Sequence, residues 1–259
     1  LHLTAASRTY EYLLPLSALG GCDVERFEHV LRRFEGTHRF HNFASGLRRR
    51  DGEQPPFECE ATGESWPLAL ATDSHSSAAF RSVLTCRVHR QLSIASAESP
   101  SEGEPYLVVR IRGLAFVLHQ IRHMIGTALA VANGIVPDDA VGIALSTPFR
   151  VDISPLVPGC GLLLDEIEWY SVKEGFFETE LPACARQDME RFKLQVLYPH
   201  VHDLYQQGAF DTFLRDLRGN EMFHRHYAQA GQERHPTLPL PRTPHPDPHP
   251  EPRPLPPTL

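Results

Sequence analysis

Tyr106-Leu-Val-Val-Arg-Ile-Arg112 runs straight into Gly113-Leu-Ala-Phe-Val-Leu-His-Gln-Ile-Arg-His-Met-Ile-Gly126, and then through Thr127-Ala-Leu-Ala-Val-Ala-Asn133-Gly134. In the first piece Leu107, Val109 and Ile111 alternate with other residues, the period of a strand with one face buried. Phe116 to Asn133 is strongly apolar, with His119, Gln120, Arg122 and His123 as the polar residues near its start, which predicts a helix buried on most sides. Asn133-Gly134 and then Pro137 close it. A strand feeding a strongly apolar helix calls for other elements of the chain to cover that helix.

The flanking sequence supplies them. Thr9–Leu16 alternates around Tyr10, Tyr12 and Leu14 and reads as a strand. Asp23–Phe34 places Val24, Phe27, Val30, Leu31 and Phe34 at helical spacing, with Asp23 as N-cap. Val83–Leu92 and Gly161–Tyr170 read as strands and Asp138–Ser146 as a short helix. Leu181–Gln207 and Phe210–Ala228 read as two polar-rich helices. No long helix separates successive strands at every step, so the expected class is α+β: a mostly antiparallel sheet packed on helices, with a C-terminal helical extension. Residues 1–172 are expected to form the main unit and 173–230 the extension. Residues 231–259 are expected to be a disordered Pro-rich tail, since Pro236 to Leu259 holds 11 of the chain's 23 prolines.

Composition narrows the function classes. The 259 residues carry a formal charge of −7, so no global positive field marks a nucleic-acid binder. Residues 1–126 hold 14 Arg against 14 Asp plus Glu, so RNA binding would need a local patch. Mean hydropathy is −0.29, and no apolar run reaches the roughly 18 residues of a membrane span, so no membrane partner is expected. The five cysteines, Cys22, Cys59, Cys86, Cys160 and Cys184, include no Cys-x-x-Cys. That spacing argues against a disulfide scaffold and a thiolate metal site, and fits a reducing, intracellular compartment: nucleus, mitochondrion or cytoplasm.

Within the apolar helix His119, Arg122 and His123 fall at i, i+3 and i+4, on one face. A guanidinium on such a helix needs an anion, because an unpaired buried charge costs several kcal/mol. Arg122 is therefore either a member of an internal ion pair or a site residue awaiting an acid. His119-x-x-x-His123 also has the spacing of zinc helices, but Gln120 stands where a general-base Glu would stand, and such pairs arise often by chance. Gly36-Thr-His-Arg-Phe-His-Asn-Phe43 reads either as a helix C-cap with aromatic contacts or as a rim on which His38, Arg39 and Asn42 touch a ligand. The loop triplet Arg48, Arg49, Arg50 could meet phosphates, although Asp51 and Glu53 partly cancel it. Tyr10 and Tyr12 share a strand face, as core residues or as a platform for a base.

Four strings occur in one order. Arg8-Thr-Tyr-Glu-Tyr-Leu-Leu-Pro15 and Gly36-Thr-His-Arg-Phe-His-Asn-Phe43 are followed by Gly113 to Gly126 above. Val157-Pro-Gly-Cys-Gly-Leu-Leu-Leu-Asp-Glu-Ile-Glu-Trp-Tyr170 comes last. Together they resemble the TruA-type tRNA pseudouridine synthase family, in wording closer to its eukaryotic branch. The resemblance spans about residues 8 to 170 and implies isomerisation of uridine to pseudouridine in RNA, most often tRNA, with no cofactor and no metal. It implies that Tyr10 packs on the target base, that Arg122 pairs with the family's catalytic Asp, and that Leu162 lines the uracil pocket. His38, Arg39, Arg48, Arg49 and Arg50 are the expected backbone contacts to RNA. The family carries its Asp in an Arg-Thr-Asp loop, a string the 259 residues do not contain. The chain is therefore expected to represent the C-terminal half of the fold, to be inactive by itself, and to pair into homodimers through exposed sheet edges. A non-catalytic RNA-binding relative is the competing expectation.

Overall fold

β1 (Leu3–Pro15) sits near the middle of one sheet and pairs with two long partners, β6 (Glu104–Gly113) and β7 (Leu162–Ser171). α1 (Val24–Arg32), β2 (Gly36–Arg39), a two-residue hairpin of β3 (Phe57–Glu58) with β4 (Ser65–Trp66), and β5 (Phe80–Ile94) lie between β1 and β6 in the chain. β8 (Phe176–Glu178) completes a six-stranded sheet in the order β2-β5-β6-β1-β7-β8, antiparallel at every pairing. These elements come from a computed structural model that describes residues 3–44, 57–58, 65–66, 79–95, 103–147, 151, 154–171, 176–178 and 182–219. Arg48, Arg49, Arg50 and the Pro-rich tail lie outside the described residues. The expected α+β class is what the chain adopts.

Local chemistry accounts for the first helix. Asp23 is extended and accepts the Arg26 backbone N–H at 2.6 Å, the expected N-cap. Phe27, Val30 and Leu31 are then buried along one stripe of α1, which packs on α2 (Gln120–Ala132). Burying each such side chain stabilises the fold by about 1.5–3 kcal/mol. α3 (Ala140–Ser146) adds Val141 and Ala144 to the same core.

α2 is shorter than its apolar run. His119 has φ +65°, in the left-handed region, so the helix begins at Gln120 and residues 114–119 form a loop. Gln120 is buried and its side chain accepts the Val117 N–H at 2.9 Å, satisfying a donor that helical continuation would otherwise have used. His119 therefore does not share a helix face with Arg122 and His123, and the zinc-helix reading fails on backbone geometry.

The C-terminal helices also depart from expectation. In place of one helix over 181–207 there are α4 (Ala183–Phe192), a π-helical turn Lys193–Leu197, and α5 (Tyr198–Gln206), followed by α6 (Ala209–Gly219). Pro199 has no N–H and its ring crowds the carbonyl four residues back, so the turn before it widens. The Tyr198 N–H reaches the Lys193 carbonyl, five residues back. No helix among the described residues is long and apolar enough to cross a membrane.

Candidate functional site

The site is built where α2 starts, because one chain segment is strapped across that helix. Gly126 makes the strap possible: a Cβ there would lie 2.4 Å from Ser154 Oγ and 2.7 Å from the Pro155 carbonyl oxygen. The close approach carries the chain on to Val157, whose carbonyl accepts the Arg122 Nε–H at 2.7 Å. The guanidinium lies over Gly159, where an added Cβ would sit 3.6 Å from Arg122 Cζ and Nη1. Among the described residues no carboxylate pairs with Arg122, although thirteen ion-pair contacts are formed elsewhere. Among the described residues the internal ion pair has no partner, and the half-buried guanidinium has the Val157 carbonyl as its hydrogen-bond acceptor.

The same segment ties Arg122 to the tyrosine strand. The Tyr12 hydroxyl donates to the Pro158 carbonyl at 2.9 Å. Burial pushes that phenol far above its usual range, so it holds its proton as a donor. Burial likewise raises the neighbouring Cys160 thiol, with the Arg122 charge pulling the other way. Leu162 then opens β7 directly opposite Tyr12.

Tyr10 lies two residues along the same side of β1 and is half-buried. Its ring meets Phe116 edge-on, centroids 5.5 Å apart at 88°. Leu162 faces Tyr12 and Leu164 faces Tyr10 in unbroken register, and the β1–β7 pairing slips by one residue beyond Tyr10, towards Thr9. Leu164 is 53 % exposed, and Leu114 and Leu118 on the loop before α2 are also exposed. Phe116 and Leu164 escape a reading by motif. Leu164 shares the strand parity of Leu162, whereas Phe116 is hidden inside what reads as helix.

Other expected contacts lie elsewhere. His38 and Arg39 are on β2 at the sheet's far edge, three strands and roughly 14 Å from β1 at ordinary strand spacing. His38 Nε2 shares a 2.8 Å hydrogen bond with the Glu35 carbonyl, and Arg39 is largely buried, its guanidinium 5.5 Å from the centre of the Phe80 ring. Asn42 is not a rim residue: it donates to the Ala144 carbonyl and accepts the Val151 N–H, both within the core. The structure thus joins Arg122, Tyr12 and Leu162 through residues 157–162, with Tyr10 alongside, and separates His38 and Arg39 from them.

Chemically, the arrangement sets a guanidinium near a strand that carries an apolar, aromatic face. Comparison with known proteins identifies the family. A family profile described as tRNA pseudouridine synthase matches residues 30–169. The chain is 27 % identical over 216 residues to the human "Pseudouridylate synthase 1 homolog", covering 75 % of this chain and 42 % of that protein. It is 28 % identical over 200 residues to the "tRNA pseudouridine(27/28) synthase" of Saccharomyces cerevisiae, covering 75 % of this chain and 44 % of the relative. Over 69 residues it is 38 % identical to "tRNA pseudouridine synthase A" of Streptococcus pyogenes, covering 27 % and 28 %. The chain thus spans less than half the length of the human and yeast relatives.

Proposed function

The chain belongs to the tRNA pseudouridine synthase family, and from that premise we propose that it supplies the arginine-bearing half of a site that converts uridine to pseudouridine in RNA, with tRNA the first substrate to try. The observation that carries this reading is the Arg122 guanidinium, oriented by the Val157 carbonyl and without a carboxylate of its own among the described residues. The chain contains no Arg-Thr-Asp string, so in this reading the acid comes from polypeptide outside these 259 residues, and the chain alone is inactive.

Arg122 holds that carboxylate ionised by charge attraction and hydrogen bonding. The ionised acid attacks the ribose or assists glycosidic cleavage, breaking the N1–C1′ bond. The freed uracil turns and rejoins through C5, the C5 proton leaves and N1 regains a proton, so no atom is gained or lost overall. The Tyr10 ring gives the base a flat contact, and its phenol is the group nearest in kind to take the C5 proton. Leu162 and Leu164 form the apolar wall. The target base must first leave its stack, at a cost of a few kcal/mol.

Residues 1–172 act in this reading as the catalytic half and 173–230 as its extension. Arg48, Arg49 and Arg50 are proposed contacts to the RNA backbone, with His38 and Arg39 at most a distant rim. Exposed Leu114, Leu118 and Leu164 form a surface for the Asp-bearing half to cover. Left uncovered, that surface and the sheet edges would pair the chain with a second copy, which light scattering would read as a dimer.

The test is tritium release from RNA labelled at uridine C5, using the chain together with an Asp-bearing N-terminal half. Release is expected with both parts and not with the chain alone. Arg122→Ala should lower it by roughly 100-fold or more, the scale of losing one preorganised charge contact. Full release by the Ala variant would overturn the assignment.

A further inference from the structure

The site as described leaves the C-terminal helices without a part in it, yet α5 touches the strand that carries Tyr10. The Tyr205 hydroxyl donates to the Leu13 carbonyl at 2.8 Å and lies 3.4 Å from the Tyr12 hydroxyl. Tyr12 in turn donates to Pro158, and the carbonyl one residue earlier, Val157, receives Arg122 Nε. Two consecutive carbonyls are thus held, one by a tyrosine braced from α5 and the other by the arginine.

The brace itself is tightly packed. The Tyr205 ring stacks on Tyr106 with centroids 6.2 Å apart at 15°, and meets Phe210 edge-on at 5.3 Å. Tyr106 shares a 2.8 Å hydrogen bond with His202 Nδ1, also on α5. Tyr12 and Tyr205 are both buried, and the turn at Gly161 is pressed between them. A Cβ there would lie 2.0 Å from the Tyr205 hydroxyl and 3.0 Å from Tyr12 Cζ. No side chain other than glycine fits that turn while both phenols stay in place.

We propose that Tyr205 is a positioning residue of the site: through Tyr12 it clamps the turn from Val157 to Gly161, and the clamped turn fixes the direction of the Arg122 guanidinium. The helical extension is then part of the active architecture and not an appendage to it. This rests on the reading that Arg122 meets the catalytic carboxylate. A cation that must meet an acid from another part of the fold gains most from such bracing, because a misplacement of about 1 Å can cost as much as 100-fold in rate.

Tyr205→Phe tests it, because the ring contacts to Tyr106 and Phe210 survive and only the hydroxyl is lost. In the isolated chain, the Arg122 Nε–H resonance is expected to shift and to exchange with solvent roughly tenfold faster, with Tm nearly unchanged. In the chain joined to its Asp-bearing half, kcat for tritium release should fall roughly tenfold while KM for RNA stays constant. Tyr12→Phe, which removes the bond to Pro158, should reproduce both effects. Wild-type kcat and an unmoved Nε–H signal in Tyr205→Phe would overturn the proposal, even with Arg122→Ala inactive. A fall in Tm with a rise in KM and no change in kcat would also overturn it, marking Tyr205 as scaffold alone. Full activity of Arg122→Ala would instead remove the reading on which the proposal stands.

Discussion

The ammonium of Lys193 lies 3.0 Å from a carboxylate oxygen of Glu11, 182 residues earlier in the chain. It also meets Asp165 at 2.7 Å and pairs with Glu190, while the Tyr198 hydroxyl donates to Glu11 at 2.7 Å. Glu11, Asp165 and Glu190 bring their oxygens together as metal ligands would, but the centre of the group is filled by the lysine. Burial alone would lower the Lys193 pKa, yet the bonds to Asp165, Glu190 and Glu11 win and raise it. Burial and the bond to Glu11 push the Tyr198 phenol up to about 12. This network fastens the helical extension to β1 and β7.

Removing the lysine leaves the buried Glu11 carboxylate with no cation and only the Tyr198 hydroxyl, while Asp165 keeps Arg110 and Glu190 keeps Arg90. Lys193→Ala is therefore expected to destabilise the chain by about 3–5 kcal/mol, read as a lower midpoint in urea. A loss below about 1 kcal/mol would mean that the Glu11 carboxylate finds water or protonates at little cost.

A methyl group at the strap over α2 should uncouple stability from activity. Gly126→Ala forces Ser154 and Pro155 away from the helix and moves the Val157 carbonyl with them. The expected cost is about 1–3 kcal/mol in thermal or urea unfolding, with a larger relative fall in tritium release. An Ala variant with wild-type release would show that the strap does not set the position of Arg122.

Acid should weaken the β1–β6–β7 contact through Glu168. Its carboxylate accepts the Ser7 hydroxyl at 2.7 Å and pairs with Arg112, and these partners hold its pKa below the usual value. A depressed carboxylate stabilises the fold above its unfolded pKa, about 4.3, and that stability is lost as pH falls through the lower folded value. Tm is thus expected to fall below roughly pH 4.5, and Glu168→Gln should flatten that part of the profile. Identical acid limbs for the two proteins would contradict the linkage.

The first helix offers a local control. Asp23→Ala removes the acceptor for the Arg26 N–H and should cost about 1 kcal/mol, with no effect on tritium release beyond the loss of folded protein. A specific loss of activity would tie α1 to the site by a route that the contacts around Arg122 do not contain.

Elements with a local cause were legible in the chain itself. The alternation in β1, β5, β6 and β7, the stripe and cap of α1, and the presence of an arginine on a greasy helix each depend on neighbours within a few residues. Helix ends and strand registers were less so. His119 adopts a left-handed backbone, and the β1–β7 ladder slips by one residue between Tyr10 and Thr9. Beyond such a bulge every facing pair is offset by one residue, an offset that neither strand's own pattern reports.

By itself, then, the sequence determined the long strands β1, β5, β6 and β7 and the helix α1, that a cation sits on an apolar helix, and which family wording surrounds it. Only the tertiary structure decided that Arg122 is held by Val157, that Lys193 is sunk among three carboxylates, and that Tyr205 braces Tyr12. Those contacts join residues 35, 182 and 193 positions apart. Periodicity and capping report neighbours within a turn or a hairpin, so partners this distant are set by how the sheet and helices close on one another.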